Sequence, residues 1–198
     1  MIKRILLLHF CFMMFFTANA GTIEKGYHGF ADVGYSCYCT SYLDATIIDL
    51  TTSHGYQFSP YLFLGAGVGF DYTGDVKDGD ISGHPYLKRD ATVDVPIFFN
   101  GRLNFTKTKI VPFLDLKAGT YINNEGGVYL NAMVGCRYSL SNNRGISLSL
   151  GFKTRKITAQ RLEIEGANKY NQYKTTYYYA DKENEPLEGI VFKVGFDF

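Results

Sequence analysis

Apolar and polar residues alternate along most of this chain. One face of its last ten residues carries Ile190, Phe192, Val194, Phe196 and Phe198. The other face carries Gly189, Val191, Lys193, Gly195 and Asp197. A period of two is typical of a β-strand with one apolar and one mixed face. Seven earlier stretches alternate in the same way, so the sequence predicts an all-β chain of eight strands.

The lengths of the connections indicate how these strands are joined. The predicted strands cover residues 27–39, 45–56, 61–72, 92–105, 110–122, 128–140, 146–164 and 189–198. Pro96 lies inside the fourth strand, where we expect a bulge or irregular pairing. Connections after the second, fourth and sixth strands are short, whereas Thr73–Asp90 and Gly166–Glu188 are predicted to be long loops. This parity is typical of outer-membrane barrels, with short periplasmic turns and longer outside loops.

The alternation does not by itself say which face is inside. A soluble, lipocalin-like barrel would turn the apolar face inward, around an apolar ligand. Eight strands, however, enclose just enough space for side chains to fill, and the apolar face is too bulky for that space. The polar face is rich in small residues, such as Gly65, Gly67 and Gly69. We therefore predict an eight-stranded antiparallel up-and-down transmembrane β-barrel, with the soluble barrel as the alternative.

The polar face also carries charges of both signs at mid-strand. These residues are Asp32, Asp94, Arg102, Asp115, Lys117, Arg137, Lys153, Arg155, Lys193 and Asp197. Inside a barrel such groups must be paired to offset their desolvation. Tyrosines near strand ends fit an interfacial aromatic girdle, although they could equally be ordinary strand residues. They are Tyr27, Tyr56, Tyr61, Tyr72, Tyr121 and Tyr138.

The first twenty residues have the pattern of an export signal. Lys3 and Arg4 precede an apolar run, and Ala18-Asn19-Ala20 forms a small-x-small cleavage site. We expect a signal peptide over residues 1–20 and one barrel domain over 21–198. Without Lys3 and Arg4, the 20 basic and 19 acidic residues leave a net charge of about −1. That balance excludes the basic field that nucleic acid would need. Cys37, Cys39 and Cys136 are an odd number, and we expect buried or lipid-facing thiols.

Several segments carry a resemblance to a known family. They are residues 25–30, 53–61, 65–69, 112–117 and 147–152. Together they resemble strands of the small OmpX/OmpA-like outer-membrane β-barrel family. The last strand also resembles the closing strand of such barrels. The resemblance implies that Phe192, Val194, Phe196 and Phe198 are an assembly signal for the barrel-assembly machinery. It further implies the Gram-negative outer membrane, with lipid as partner. The parity of the connections predicts that both termini are periplasmic.

Catalytic chemistry finds little support in the sequence. Ser53 and His54 are adjacent and must point to opposite faces of a strand, so they cannot form a nucleophile–base pair. His28 and His84 have no fixed partners in the sequence. Asp75, Asp78 and Asp80 could bind a hard cation, but their spacing departs from the twelve-residue calcium loop. We expect no enzyme activity, cofactor or metal, with a small lipid-modifying outer-membrane enzyme as the lesser alternative.

The long loop Gly166–Glu188 is the candidate interaction surface. Its tyrosines are Tyr170, Tyr173, Tyr177, Tyr178 and Tyr179. Tyrosine offers a large contact area at modest entropy cost, so the loop suits an extracellular partner. The sequence therefore predicts a monomeric envelope protein with a structural role, and an adhesion role through this loop is the second hypothesis.

Overall fold

The computed structural model describes residues 23–40, 43–78, 87–123, 127–141, 144–165 and 176–198. Only the backbone is described for residues 39–40, 43–45, 76–78, 87–89, 141, 156–165 and 176–187. The predicted signal peptide, residues 1–20, lies outside the described residues.

Eleven strands make up the described structure, and eight of them form a closed barrel. The strands are β1 (Gly26–Thr40), β2 (Leu43–Ser59), β3 (Leu62–Thr73), β4 (Val76–Asp78), β5 (Leu87–Arg89), β6 (Thr92–Asp94), β7 (Pro96–Asn104), β8 (Ile110–Tyr121), β9 (Val128–Ser141), β10 (Arg144–Glu165) and β11 (Thr176–Asp197). The barrel order is β1-β2-β3-β7-β8-β9-β10-β11, with β11 pairing back to β1. All of these pairs are antiparallel, so the predicted eight-stranded, up-and-down, all-β fold is confirmed. Among the described residues no helix is long and apolar enough to cross a membrane.

The register of the strands fixes the tilt of the barrel. One circuit through paired residues runs Tyr27, Tyr56, Leu64, Gly101, Leu116, Ala132, Phe152, Ile190 and back to β1 at Cys37. The circuit therefore returns ten residues further along β1. With about 3.3 Å per residue and about 4.8 Å between strands, this stagger tilts the strands by about 40° from the barrel axis.

Apolar side chains face outward and charged side chains face the bore. Leu150 and Phe152 on β10 are 52% and 64% exposed, whereas their neighbour Lys153 is fully buried. Arg102 and Arg137 are also buried, at 3% and 1% exposure. The predicted orientation of the two faces is thus confirmed, and it is the opposite of the arrangement in a soluble barrel that encloses an apolar ligand.

Glycines on the inner face allow aromatic rings to lie against the wall. The ring of Phe98 covers Gly67, where an added Cβ would lie 2.5 Å from its Cε2 atom. The ring of Phe113 covers Gly135 in the same way, at 2.6 Å from its Cζ atom. The Gly-rich polar face is therefore the surface on which the interior rings are packed.

The two ends of the barrel differ. Gly26 and Asp197 lie at one end, which we call the terminal end. The turns at residues 60–61 and 105–109 lie there as well. The opposite end, which we call the loop end, carries the two longest connections, from β3 to β7 and from β10 to β11, although β1 and β2 are joined there by only two residues. The predicted difference in connection length is therefore present in the described structure.

Both predicted long loops contain strand. β10 and β11 are each 22 residues long and stay paired as far as Glu165 and Thr176, so the second half of the predicted loop Gly166–Glu188 is strand. The β-prone run Thr176–Ala180 favours this extension over a loop. In the connection Thr73–Asp90, β4 pairs with β5, which in turn pairs with β10.

The pairing beside Pro96 is irregular, as predicted. β6 and β7 both pair with β3 and are separated by Val95, where this ladder is interrupted. The register does not shift across the break, because Asp71 lies opposite Asp94 and Val68 lies opposite Ile97. The proline therefore interrupts the ladder without the extra residue that a bulge would add.

Candidate functional site

The bore of the barrel is filled with charged side chains. All ten residues of the predicted charge network lie in it and are buried, namely Asp32, Asp94, Arg102, Asp115, Lys117, Arg137, Lys153, Arg155, Lys193 and Asp197. Asp49 and Asp71 join them, both with no exposed surface. The described bore therefore holds six acidic and six basic side chains besides His28, and its formal charges balance.

The terminal end of the bore contains a cluster around Asp197. Its carboxylate pairs with Arg137 and lies 3.7 Å from Nη1 of Arg102. Arg137 also donates from Nη1 to the Ser139 hydroxyl, at 2.6 Å. Nε2 of His28 lies 4.0 Å from the same carboxylate. One acidic side chain on the last strand thus joins basic groups from three other strands.

Aromatic rings enclose Arg102 within this cluster. Its Cζ atom lies 3.7 Å from the ring centroid of Phe30 and 4.4 Å from that of Phe113. Its Nε donates to Oδ2 of Asp115 at 2.7 Å. Phe63 packs edge-on against Phe30, with centroids 4.7 Å apart. A desolvated guanidinium over aromatic faces gains cation–π energy in addition to its ion pair. These buried groups fill the terminal end of the bore.

An ion pair crosses the middle of the bore. Nζ of Lys117 on β8 donates to Oδ2 of Asp32 on β1 at 2.6 Å. The Thr51 hydroxyl donates to the same oxygen at 3.4 Å. β1 and β8 are not hydrogen-bonded neighbours, so this pair connects strands that the sheet itself does not join.

A larger cluster occupies the loop end of the bore. Lys153 lies 2.7 Å from Oδ2 of Asp71 and 3.5 Å from Oδ2 of Asp49. Lys193 also pairs with Asp49, at 2.5 Å. Arg155 pairs with Asp94 and lies 3.8 Å from Asp71. Every charge in this cluster therefore has an oppositely charged neighbour, as burial requires.

Three residues of this cluster were misjudged or missed at the level of sequence. Tyr121 belongs to the bore, not to the aromatic girdle, because it is 1% exposed and donates to Oδ2 of Asp71 at 2.7 Å. Tyr121 lies two residues after Gly119, on the same strand face as Asp115 and Lys117. This position in the sequence predicts that its side chain points into the bore. Asp49 and Asp71 share the face of Thr51 and Gly69 in the same way. The other five predicted girdle tyrosines face outward, namely Tyr27, Tyr56, Tyr61, Tyr72 and Tyr138.

The predicted assembly signal lies on the outer wall beside the closure of the barrel. Phe192, Val194, Phe196 and Phe198 all face outward. Phe198 exchanges two backbone hydrogen bonds with Gly29, of 2.7 and 2.9 Å, so the seam between β11 and β1 extends to Phe198. Its ring covers Gly29 and packs edge-on against His54, with centroids 5.9 Å apart.

The histidines do not assemble a nucleophile–base pair with Ser53. Ser53 is buried in the bore, whereas His54 is exposed on the outer wall, as adjacent strand residues must be. The ring nitrogens of His54 lie 2.6 Å from the Tyr27 hydroxyl and 3.0 Å from that of Thr52. Because the Thr52 hydroxyl donates to the Phe30 carbonyl at 3.1 Å, its proton is directed away from the imidazole. His84 lies outside the described residues.

The other predicted candidates are only partly described. Oδ1 of Asp75 accepts a hydrogen bond from the backbone N–H of Ala91 at 2.7 Å. This carboxylate therefore links the beginning and the end of the connection Thr73–Asp90. The side chain of Asp78 is not described, and Asp80 lies outside the described residues. Within the described part of the chain, no group of three or more His, Cys, Asp or Glu side chains could hold a metal ion. Cys37 and Cys136 are free and exposed on the outer wall.

The tyrosines of the predicted interaction loop fall into two groups. Tyr170 and Tyr173 lie outside the described residues. Tyr177, Tyr178 and Tyr179 lie in β11, where they pair with Ile164, Glu163 and Leu162.

No protein-family model matches the sequence, and no curated protein matches it. Among solved structures, the chain is similar to the solution NMR structure of the de novo designed TMB2.3, with 16% identity over 88% of this chain and 94% of that chain and a TM-score of 0.42. It is also similar to the COG4313 outer membrane channel from Pseudomonas putida F1, with 12% identity over 92% of this chain and 97% of that chain and a TM-score of 0.29.

Proposed function

We propose that this chain is an integral outer-membrane β-barrel whose bore is closed and whose role is structural. The observation that carries the proposal is the division between an apolar outer wall and an ion-paired interior. Water would solvate so large a continuous surface of Leu and Phe side chains poorly, whereas lipid chains would solvate it well. The proposal places both termini on the periplasmic side and gives the chain no catalytic step.

Two features of the bore support a closed rather than a conducting barrel. Eight strands leave an interior that side chains fill, whereas wide aqueous channels need about sixteen strands. The described bore is filled by rings at its terminal end and by ion pairs along its length. A soluble barrel that binds an apolar ligand would need an apolar interior, so the same observation disfavours that alternative.

Membrane insertion is tested by fractionation and gel mobility. The protein should require detergent for extraction, and the unboiled sample should migrate differently from the boiled one. Reconstituted into planar bilayers, it should leave the conductance at the background level. Extraction by salt or carbonate alone would refute the membrane assignment, and well-defined conductance steps would refute the closed bore.

A second candidate function is surface interaction through the hairpin of β10 and β11. The pairing of these strands continues beyond Arg155 and Gly189, where the pairing of β10 with β9 and of β11 with β1 has ended. About ten further residue pairs, at about 3.3 Å each, would extend roughly 30 Å from the barrel. One edge of this hairpin is partly covered by β5, at Gln160 and Arg161. The three tyrosines lie in β11, the strand of the hairpin that β5 does not pair with in the described structure.

The hairpin can be shortened without disturbing its base. Deleting residues 163–178 and joining Leu162 to Tyr179 by a two-residue turn keeps the register shared with β5. If the hairpin binds a partner, cells that carry the shortened protein should lose adhesion to host cells or matrix while surface expression stays equal. Unchanged adhesion would remove this candidate and leave the structural role.

A further inference from the structure

The hairpin of β10 and β11 continues the two faces of the barrel wall beyond the barrel. Phe152 and Ile190 lie opposite each other and are 64% and 55% exposed on the outer wall. From there the two strands pair without a register shift as far as Gln160 and Lys182. Because strand residues alternate between faces, the even-numbered residues of β10 continue the outer face that Phe152 defines.

A register shift places two tyrosines on this outer face near the tip of the hairpin. Past the shift, Leu162 pairs with Tyr179, and Ile164 pairs with Tyr177. Two residues of β11 therefore lie opposite one residue of β10, which is the arrangement of a β-bulge. Residues directly opposite each other in an antiparallel pair share a face. These two pairs consequently form one apolar and aromatic surface, which we call the tip patch.

A polar stretch separates the tip patch from the apolar outer wall. Between Phe152 and Leu162, the outer face of β10 carries Thr154, Lys156, Thr158 and Gln160. The residues opposite these four on β11 are Glu188, Pro186, Asn184 and Lys182. The ten residues from Phe152 to Leu162 span about 33 Å along the strand. A bilayer whose chains cover Phe152 would therefore end well below the tip patch.

The tip of the hairpin has only one apolar face. On the other face Glu163 pairs with Tyr178, and Glu165 pairs with Thr176. In the described structure β5 pairs with β10 no further than Arg161, so the tip beyond it consists of two strands. A two-stranded hairpin is marginally stable in water unless its apolar face packs against another element. The tip patch therefore needs a cover.

A second copy of this chain meets the geometric requirements of that cover. Two barrels inserted in the same orientation into one membrane present their tip patches at the same height. The patch lies on the outer face, so it faces sideways and away from its own bore. A two-fold axis along the membrane normal brings two such patches together in an isologous contact. Strands tilted by about 40° would then cross at about 80°, close to the orthogonal packing of two sheets.

We propose that the tip patch is a self-association surface, through which two copies of this chain form a two-fold dimer above the membrane. The inference rests on the proposed function, because both barrels must span one bilayer, and it replaces the monomer that the sequence predicts. Four residues per copy bury less than the roughly 800 Å² per partner of a standard interface. The dimer is therefore weak in detergent solution and depends on confinement in one membrane, which raises the effective concentration.

The dimer is tested by photo-cross-linking in vesicles. Two differently tagged copies of the mature barrel are reconstituted together at low protein density, each with p-benzoylphenylalanine in place of Tyr179. Irradiation should give a covalent product that carries both tags. The matched control places the same photoreactive residue at Tyr178, on the opposite face of the tip, and should give about fivefold less product.

Variants of the patch provide a second measurement. With the photoreactive residue at Ile164, Y177S/Y179S should lower the yield of the doubly tagged product about fivefold, because aromatic residues supply most of the contact. The control Y178S removes a tyrosine from the opposite face and should leave that yield within about twofold. An unchanged yield in Y177S/Y179S would contradict the tip patch as the contact.

The remaining outcomes separate this inference from the proposed function. Equal yields from positions 178 and 179, or cross-links from position 179 to phospholipid, would refute the self-association. Loss of adhesion on shortening the hairpin, without any doubly tagged product, would refute a second copy as the cover and retain the surface-interaction candidate. A protein that shows no heat-modifiable band would refute the membrane assignment, and the dimer with it.

Discussion

Replacing Lys117 by Met removes the ammonium group that pairs with Asp32 across the middle of the bore. The pair is short, at 2.6 Å, and both side chains are at most 5% exposed. Met matches most of the volume of Lys, so the main change is electrostatic. Breaking a buried pair by removing one partner costs about 3–5 kcal/mol, because the other charge is left uncompensated. Thr51 still donates to Asp32, so we expect the lower value, about 3 kcal/mol.

The pair can be separated from general disturbance of the interior by a double-mutant cycle. D32N should cost about as much as K117M, since it leaves Lys117 unpaired. The combined variant D32N/K117M leaves no isolated charge and should cost less than either single variant. The coupling energy is then at least about 3 kcal/mol, at the upper end of the range for directly contacting residues.

Stability is measured by urea titration of the barrel in vesicles of one fixed lipid composition. The folded fraction is measured from gel mobility without boiling, because the chain has no Trp to report unfolding by fluorescence. K25M changes an exposed lysine at the terminal end and should stay within about 0.5 kcal/mol of the wild type. A K117M variant as stable as K25M would mean that Asp32 is solvated in the bore, which would refute the reasoning that this buried pair is shielded from water.

Three further predictions concern the wall of the barrel. G67A should cost about 1–3 kcal/mol, because the new methyl group would clash with the Thr52 carbonyl oxygen of the neighbouring strand and with the Phe98 ring. G101A meets Leu64 at 3.6 Å and should cost little, and equal stability of the two variants in the urea titration would contradict the packing described. L150K should cost about 2–4 kcal/mol in a bilayer, and the absence of any loss would contradict a lipid-facing position. F198A should lower the yield of heat-modifiable barrel in a vesicle assembly assay, because it removes the ring over Gly29 at the seam between β11 and β1. The control F99A, on the same outer wall, should assemble normally, and equal yields of the two variants would show that the seam contact does not assist assembly.

The faces of the strands follow from the sequence because a strand has a strict period of two. Leu148, Leu150 and Lys153 lie where their parity places them. The position of Tyr121 near a strand end predicts a place in the aromatic girdle, but its parity predicts the bore, and the parity is correct. The same parity places Asp49 and Asp71 in the bore, so the six-to-six balance could have been obtained from the sequence.

The pairing partners inside the bore could not be obtained in this way. Lys117 meets Asp32, which is 85 residues away and on a strand that is not its neighbour. Which side chains share a level depends on the stagger of ten residues around the barrel, and no local pattern specifies that stagger. The outer half of β11, which the sequence predicts as loop, differs for another reason: three tyrosines follow one another there, and residues 181–185 are all charged or polar, so the segment lacks the alternation that marks a strand with one face against lipid.

The matched numbers of acidic and basic groups in the bore have an electrical consequence. Equal and opposite charges that are fixed in pairs experience little net force from a voltage drop along the barrel axis. Neither mouth would then concentrate cations over anions by attraction from the bore itself. The interior of the barrel is in effect electrically neutral, so any charge selectivity of the proposed envelope protein must come from groups outside the bore.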